Sequence, residues 1–124
     1  MSHATGKTVL VVDDNHGTTA LLALLLGERG HDVRRAHDGR SALAEVARSD
    51  PAVVFLDLGL PDLDGFEVAR RIRAADDGAP RCLVALTGYT DTQTPAQARA
   101  AGFDDVALKP TDLDALGEIL DRFL

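Results

Sequence analysis

The chain has no tryptophan, one tyrosine and a single cysteine in its 124 residues. With Cys82 alone there is no internal disulfide, which fits a reducing, cytoplasmic compartment. The four histidines, His3, His16, His31 and His37, show no metal-ligand spacing and read as surface residues. Basic residues are in deficit: 13 Lys and Arg stand against 20 Asp and Glu, for a net charge of −7. That balance argues against nonspecific nucleic-acid binding, which needs a basic surface. Long apolar runs are missing too. The longest, Ala20–Leu26, falls well short of the ~20 residues that span a bilayer. The amino terminus, MSHATGK, leads directly into a strand-like run without the apolar stretch and cleavage site of a secretory signal. No linker, repeat or low-complexity segment interrupts the pattern. What remains is 45% apolar and 27% charged, enough for one core, and a single domain over residues 1–124 is expected, with no output domain following it.

Apolar runs alternate with helical patterns along the whole chain. The runs are Thr8–Val12, Val33–Ala36, Val53–Leu56, Leu83–Leu86 and Val106–Leu108. Between them, helical spacing relates Leu21, Leu22, Leu25 and Leu26, then Ala42, Leu43, Val46 and Ala47. It recurs at Phe66, Ala69 and Ile72, at Ala96 and Ala100, and at Leu113, Leu116, Leu120 and Phe123. Thr111 and Asp114 form a weaker version of a capping box before the last of these. Such alternation predicts an α/β fold, with βα units wound right-handedly into a parallel sheet covered on both faces. The first, third and fourth runs are nearly all apolar, as inner strands are; the second and fifth carry nearby charges, as edges do. This predicts five strands in the doubly wound, flavodoxin-like order 2-1-3-4-5.

In an open parallel sheet, ligands bind beyond the carboxyl ends of the strands, where the order reverses. Those ends carry Asp13 and Asp14, Asp57, Thr87 and Lys109. Three carboxylates in one crevice raise one another's pKa or demand a cation, and Mg²⁺ suits oxygen ligands that leave room for a phosphate. Thr87 and Lys109 then serve as donors to a phosphoryl group in transfer, and an ionised aspartate is a competent nucleophile for it. Asp13, Asp14 and Asn15 also sit where a helix cap belongs, and Asn15 or Asp14 is expected to serve as one. Pro61 and Gly65 read as structural, for a turn and a helix entry.

The blocks VLVVDDN, VVFLDLGLPDLDGFEVARRIR, ALTGY and GFDDVALKP, in this order and spacing, resemble the signature of response-regulator receiver domains over practically the whole chain. The resemblance implies a phosphorelay role for a signalling domain rather than an enzyme acting on other substrates. Asp57 would accept a phosphoryl group from a phosphohistidine of a sensor histidine kinase or phosphotransfer protein. Asp14 would bind Mg²⁺ directly, Asp13 mostly through water, and Asp57 and the backbone carbonyl of Gly59 would complete the protein ligands. Thr87 and Lys109 would hold the phosphoryl oxygens, and the Lys109–Pro110 bond would be cis, which proline makes inexpensive. The partner would dock on the first helix beside the pocket, where Ala20, Ala23 and Leu24 point outward with Gly27 and His16, while Leu21, Leu22, Leu25 and Leu26 face the sheet. A weak homodimer is compatible with the resemblance; contact with nucleic acid or membrane is not expected.

The sequence departs from the family at two places. Val106 stands where many receivers carry Tyr or Phe three residues before the lysine, so the aromatic half of the usual switch is missing. Gly59, two residues past Asp57, offers no side chain to modulate water reaching the phosphate, and Tyr89 could cover the pocket in part. The pattern DLGLPDLDG with ALTGY and a non-aromatic residue before the lysine resembles receivers of hybrid sensor kinases more than those of transcriptional regulators. A phosphatase of the haloacid-dehalogenase type would want D-x-D after the first strand, where position 15 is Asn. A flavodoxin-like redox protein would want a phosphate-cradling loop in place of this acidic one.

Overall fold

The computed structural model describes residues 7–76, 81–88, 94–109 and 113–124, the side chains at 113, 115 and 116 excepted. Five strands, β1 (Thr8–Val12), β2 (Asp32–Ala36), β3 (Val53–Asp57), β4 (Cys82–Thr87) and β5 (Asp105–Leu108), alternate with five helices. The helices are α1 (His16–Glu28), α2 (Gly39–Ser49), α3 (Gly65–Asp76), α4 (Thr94–Ala101) and α5 (Leu113–Phe123). All strand pairs are parallel, in the order β2-β1-β3-β4-β5 expected from sequence.

Period-two alternation divides the sheet's side chains between two apolar layers. Leu10, Val12, Val54 and Leu56 face α2, α3 and α4, while Val9, Val11, Phe55 and Leu86 face α1 and α5. β3 is buried throughout, whereas β2 has only Ala36 fully covered, so the burial pattern follows the predicted inner and edge positions. Asn15 caps α1 by accepting from the Thr18 amide at 3.1 Å, and Asp38 caps α2 by accepting from Ser41 at 2.8 Å.

Three helix faces differ from the sequence expectation. In α2 the buried residues are Gly39, Ala42, Glu45 and Val46, so Ala47 is exposed and Glu45 takes a core position beside Val46. In α1 the buried stripe is Thr19, Leu22 and Leu26, so Leu21 is 39% exposed instead of facing the sheet. A polar residue takes a core position there because Thr19 Oγ1 is satisfied, donating to the His16 carbonyl at 3.1 Å and meeting His37 Nε2 at 3.0 Å. In α4 the buried residues are Thr94, Ala98 and Ala101, and Ala96 and Ala100 are exposed. Five of this helix's eight residues are Thr or Ala, so the sequence gives little contrast between faces. Thr111, Leu113 and Leu116 lie outside the described residues and side chains; Ile119 and Leu120 anchor α5 in the core.

Register carries the fold to the site. Val12 pairs with Leu56, so Asp13 emerges beside Asp57, the last residue of β3. Thr87 pairs with Leu108, and the Lys109 amide donates to the Thr87 carbonyl at 2.7 Å. Gly65 opens α3 against the chain leaving β3. A Cβ there would lie 2.7 Å from Leu58 Cα and 3.0 Å from the Asp57 carbonyl oxygen, both backbone atoms. Gly65→Ala is therefore expected to cost about 2–3 kcal/mol in urea unfolding through overpacking. An unchanged midpoint would mean that the loop yields.

Candidate functional site

At the carboxyl ends of the strands lies an open cleft of about 800 Å³, lined by Asp14, Asp57, Gly59, Thr87 and Lys109 among others. Asp13 lies beneath, 1% exposed, Asp57 and Thr87 are each 6% exposed, and Asp14 stands exposed at the rim. Asp13, Asp14 and Asp57 each offer a carboxylate oxygen within 4.8 Å of the others. Lys109, half-buried, extends between two of them, with Nζ 3.0 Å from Asp13 Oδ2 and 3.2 Å from Asp57 Oδ2.

The other carboxylate oxygens are held by the backbone. Asp57 Oδ1 accepts from the Gly59 amide at 3.0 Å, and Asp13 Oδ1 accepts from the Asn15 amide at 3.0 Å. These short Asx links fix both side chains and leave each carboxylate's second oxygen turned to Lys109. Burial pushes the Asp13 carboxyl above its ordinary range. The Asn15 amide and the Lys109 ammonium oppose that shift, and the neighbouring Asp57 charge adds to it. For Lys109 burial works against the charge, but its contacts with Asp13 and Asp57 outweigh it and raise the ammonium's pKa.

Asp13 Oδ2 is buried and makes no well-aligned hydrogen bond among the described residues, with the Lys109 ammonium as its ion-pair partner at 3.0 Å. Three carboxylates facing one ammonium leave two negative charges uncompensated when all are ionised. An orphaned oxygen, excess negative charge and an all-oxygen donor set fit a hard divalent cation of the Mg²⁺ type.

All five pocket residues expected from sequence thus meet at one place, and the Gly59 backbone lines it. Tyr89 and the Lys109–Pro110 bond lie outside the described residues. Val106, which stands in the place of an aromatic switch residue, is partly buried against the α2–α4 layer. On α1, Ala20 and Leu24 are exposed, Leu24 by 60%, and Ala23 is half-buried. The outward turn of Leu21 adds to this patch.

Two features near the cleft escape sequence reasoning. The His16 and His37 rings stack with centroids 3.6 Å apart, so His16 is exposed but not isolated. His31 and His37 are half-buried and each is held, His37 Nε2 by Thr19 Oγ1 and His31 Nδ1 by the Lys7 amide, while His3 lies outside the described residues. The second feature is Asp62, whose carboxylate reaches from the β3–α3 loop to the amides of Gly39 and Arg40. Only a three-dimensional contact joins these residues, and no local motif announces it.

Comparisons with known proteins agree with this geometry. The response regulator receiver domain family matches residues 9–121. The transcriptional regulatory protein TrcR of Mycobacterium tuberculosis is 38% identical over 108 residues, covering 87% of this chain and 41% of TrcR. The chain thus spans less than half of that relative's length. The chemotaxis response regulator CheY4 of Vibrio cholerae superposes with a TM-score of 0.88 at 28% identity, over 97% of this chain and 100% of that one. A chain in the co-crystal of the Saccharomyces cerevisiae histidine phosphotransfer protein Ypd1 with the receiver domain of Ssk1 matches with a TM-score of 0.85 at 28% identity, over 95% and 88% of the two chains. Among the described residues no helix is long and apolar enough to cross a membrane. With its sheet order, its acidic cleft and a family match over nearly its full length, the chain belongs to the response regulator receiver domains, phosphoacceptor signalling domains of bacterial two-component systems.

Proposed function

We propose that this domain accepts a phosphoryl group on Asp57 from the phosphohistidine of a sensor histidine kinase or phosphotransfer protein, in a Mg²⁺-dependent reaction, and passes it on or loses it to water. The observation that carries this reading is the Asp57 carboxylate itself, fixed by Gly59, 3.2 Å from Lys109 and within reach of Asp13 and Asp14. An Asp57 oxygen attacks phosphorus, the new O–P bond forms, and the N–P bond to the donor imidazole breaks. Lys109 and Thr87 donate to the phosphoryl oxygens as charge shifts onto them. Bound Mg²⁺ would supply charge neutralisation and a template for those oxygens. Asp14, exposed at the rim, would hold it directly, with Asp57 and the Gly59 carbonyl. Asp13, with Oδ1 held by the Asn15 amide and Oδ2 buried beside Lys109, would act mostly through water. In hydrolysis a water oxygen attacks phosphorus, the Asp57 O–P bond breaks, and inorganic phosphate leaves with the carboxylate restored, so the domain would catalyse only its own loading and unloading. The setting fits the cytoplasm, and the domain would work alone or as the receiver part of a longer protein.

Intact mass after incubation with acetyl phosphate and Mg²⁺ tests the reading. One added phosphoryl group, lost when a chelator is present, is expected; no adduct would overturn it.

The docking surface for the donor would be the exposed side of α1, with His16, Ala20, Ala23 and Leu24, to which Leu21 now belongs. A helical phosphotransfer protein suits such an apolar patch beside the pocket. Leu24→Glu should slow transfer from a cognate phosphodonor by about tenfold or more, as loss of an apolar anchor does. Loading by acetyl phosphate, which needs no docking, should stay the same. Equal slowing of both reactions would place Leu24 in the fold and not in docking.

A further inference from the structure

Residues 58–64 connect Asp57 to α3 and carry Gly59. The ends of this loop are held by several contacts: Leu58 donates to the Leu86 carbonyl at 3.1 Å and accepts from the Gly65 amide at 3.3 Å, Gly59 donates to Asp57 Oδ1, and Asp64 Oδ1 accepts from Phe66 at 2.9 Å. The middle of the loop is held from α2. Asp62 Oδ1 accepts from the Gly39 amide at 2.6 Å and from Leu63 at 2.8 Å, while Oδ2 accepts from the Arg40 amide at 3.1 Å.

Those two α2 amides are the ones that the helix's own cap leaves over. Asp38 takes the Ser41 amide, so Asp62 completes the first turn with a second carboxylate at the positive end of the helix. The three contacts hold the Asp62 carboxylate below its usual range, the Gly39 amide contributing most. The junction is close-fitting: a Cβ on Gly39 would lie 2.7 Å from Leu63 Cβ and 3.2 Å from Asp62 Oδ1. α2 is itself a fixed support, with Ala42 and Val46 buried in the core. The middle of the phosphoacceptor loop is thus fastened to an element that belongs to a different βα unit.

We propose that Asp62 is a positioning residue for the phosphoacceptor loop, holding Gly59 in place against Asp57 by tying the loop to the first turn of α2. It acts through the loop backbone, and its importance for cation binding rests on the Mg²⁺ reading above. Asp62 is exposed, so its removal leaves no cavity, and its contribution lies in loop order more than in global stability.

The test compares Asp62→Ala with Asp62→Asn by amide hydrogen exchange in the metal-free protein and by Mg²⁺ titration followed by NMR. Asp62→Ala should speed exchange of the Gly59 amide about tenfold and weaken Mg²⁺ binding about threefold to tenfold, as loss of a capping contact does. Asp62→Asn keeps an oxygen for Gly39 and should recover most of both. Faster exchange confined to Gly39 and Arg40, with Gly59 exchange and Mg²⁺ affinity unchanged, would reduce Asp62 to a helix cap and overturn the proposal. If the wild type bound no Mg²⁺, the functional reading would fall, and exchange at Gly59 without metal would still decide the positioning role.

Discussion

Asp57→Asn should take up no phosphoryl group from acetyl phosphate under conditions that load the wild type fully, a loss of more than about a hundredfold. The amide is isosteric and can still accept from the Gly59 amide through Oδ1, so the end of β3 keeps its shape. Its nitrogen is no nucleophile, and it presents a donor where Asp57 Oδ2 faces Lys109. Stability should hardly fall, because the substitution also removes one of the crowded carboxylates beside buried Asp13. Loss of loading with an unchanged urea midpoint would identify the residue as chemical and not structural. Loading that persists in the variant would mean that another carboxylate accepts the phosphoryl group.

Lys109→Met should destabilise the metal-free protein by about 2–4 kcal/mol at neutral pH, below the roughly 3–5 kcal/mol of a fully buried pair because Lys109 is only half-buried. Methionine replaces the volume of the stem but not the ammonium that lies 3.0 Å from Asp13 and 3.2 Å from Asp57. Saturating Mg²⁺ should shrink the deficit, since a divalent cation would compensate the same carboxylates. Urea unfolding with chelator and with Mg²⁺ measures both terms; equal deficits in the two media would argue against a shared electrostatic site. The pH dependence has a definite sign. Asp13 has a folded pKa above its ordinary 3.8, so it contributes no penalty below that value, and its full penalty appears once pH exceeds the folded value. That penalty to metal-free stability is therefore relieved on acidification. Lys109, with a raised pKa, contributes stability throughout neutral pH and loses it only as pH climbs through the alkaline range.

The sheet order and the pocket were legible in the sequence because both depend on local signals. Apolar runs gave inner and edge strands, and parallel topology fixes which ends carry ligands. Asp13, Asp14, Asp57, Thr87 and Lys109 needed no further information, since each ends or follows a strand. Helix faces were less legible where the pattern was saturated. Ala20–Leu26 has no polar position to mark the outside of α1, and Thr19, the residue that replaces leucine in the buried stripe, depends on a bond to His37 from another unit. The same holds for α4, where alanines occupy both faces. Contacts between units, such as His16 on His37 or Asp62 on Gly39, have no sequence period and emerge only from the folded chain.

The most direct measurement is to locate the phosphoryl group after loading with acetyl phosphate and Mg²⁺. Borohydride reduces an acyl phosphate to an alcohol, which converts a phosphorylated aspartate to homoserine, and peptide mass spectrometry then reads the position. Homoserine at position 57 alone, absent without Mg²⁺, is the predicted result. Homoserine at position 13 or 14, or none anywhere in a fully folded sample, would contradict Asp57 as the phosphoacceptor.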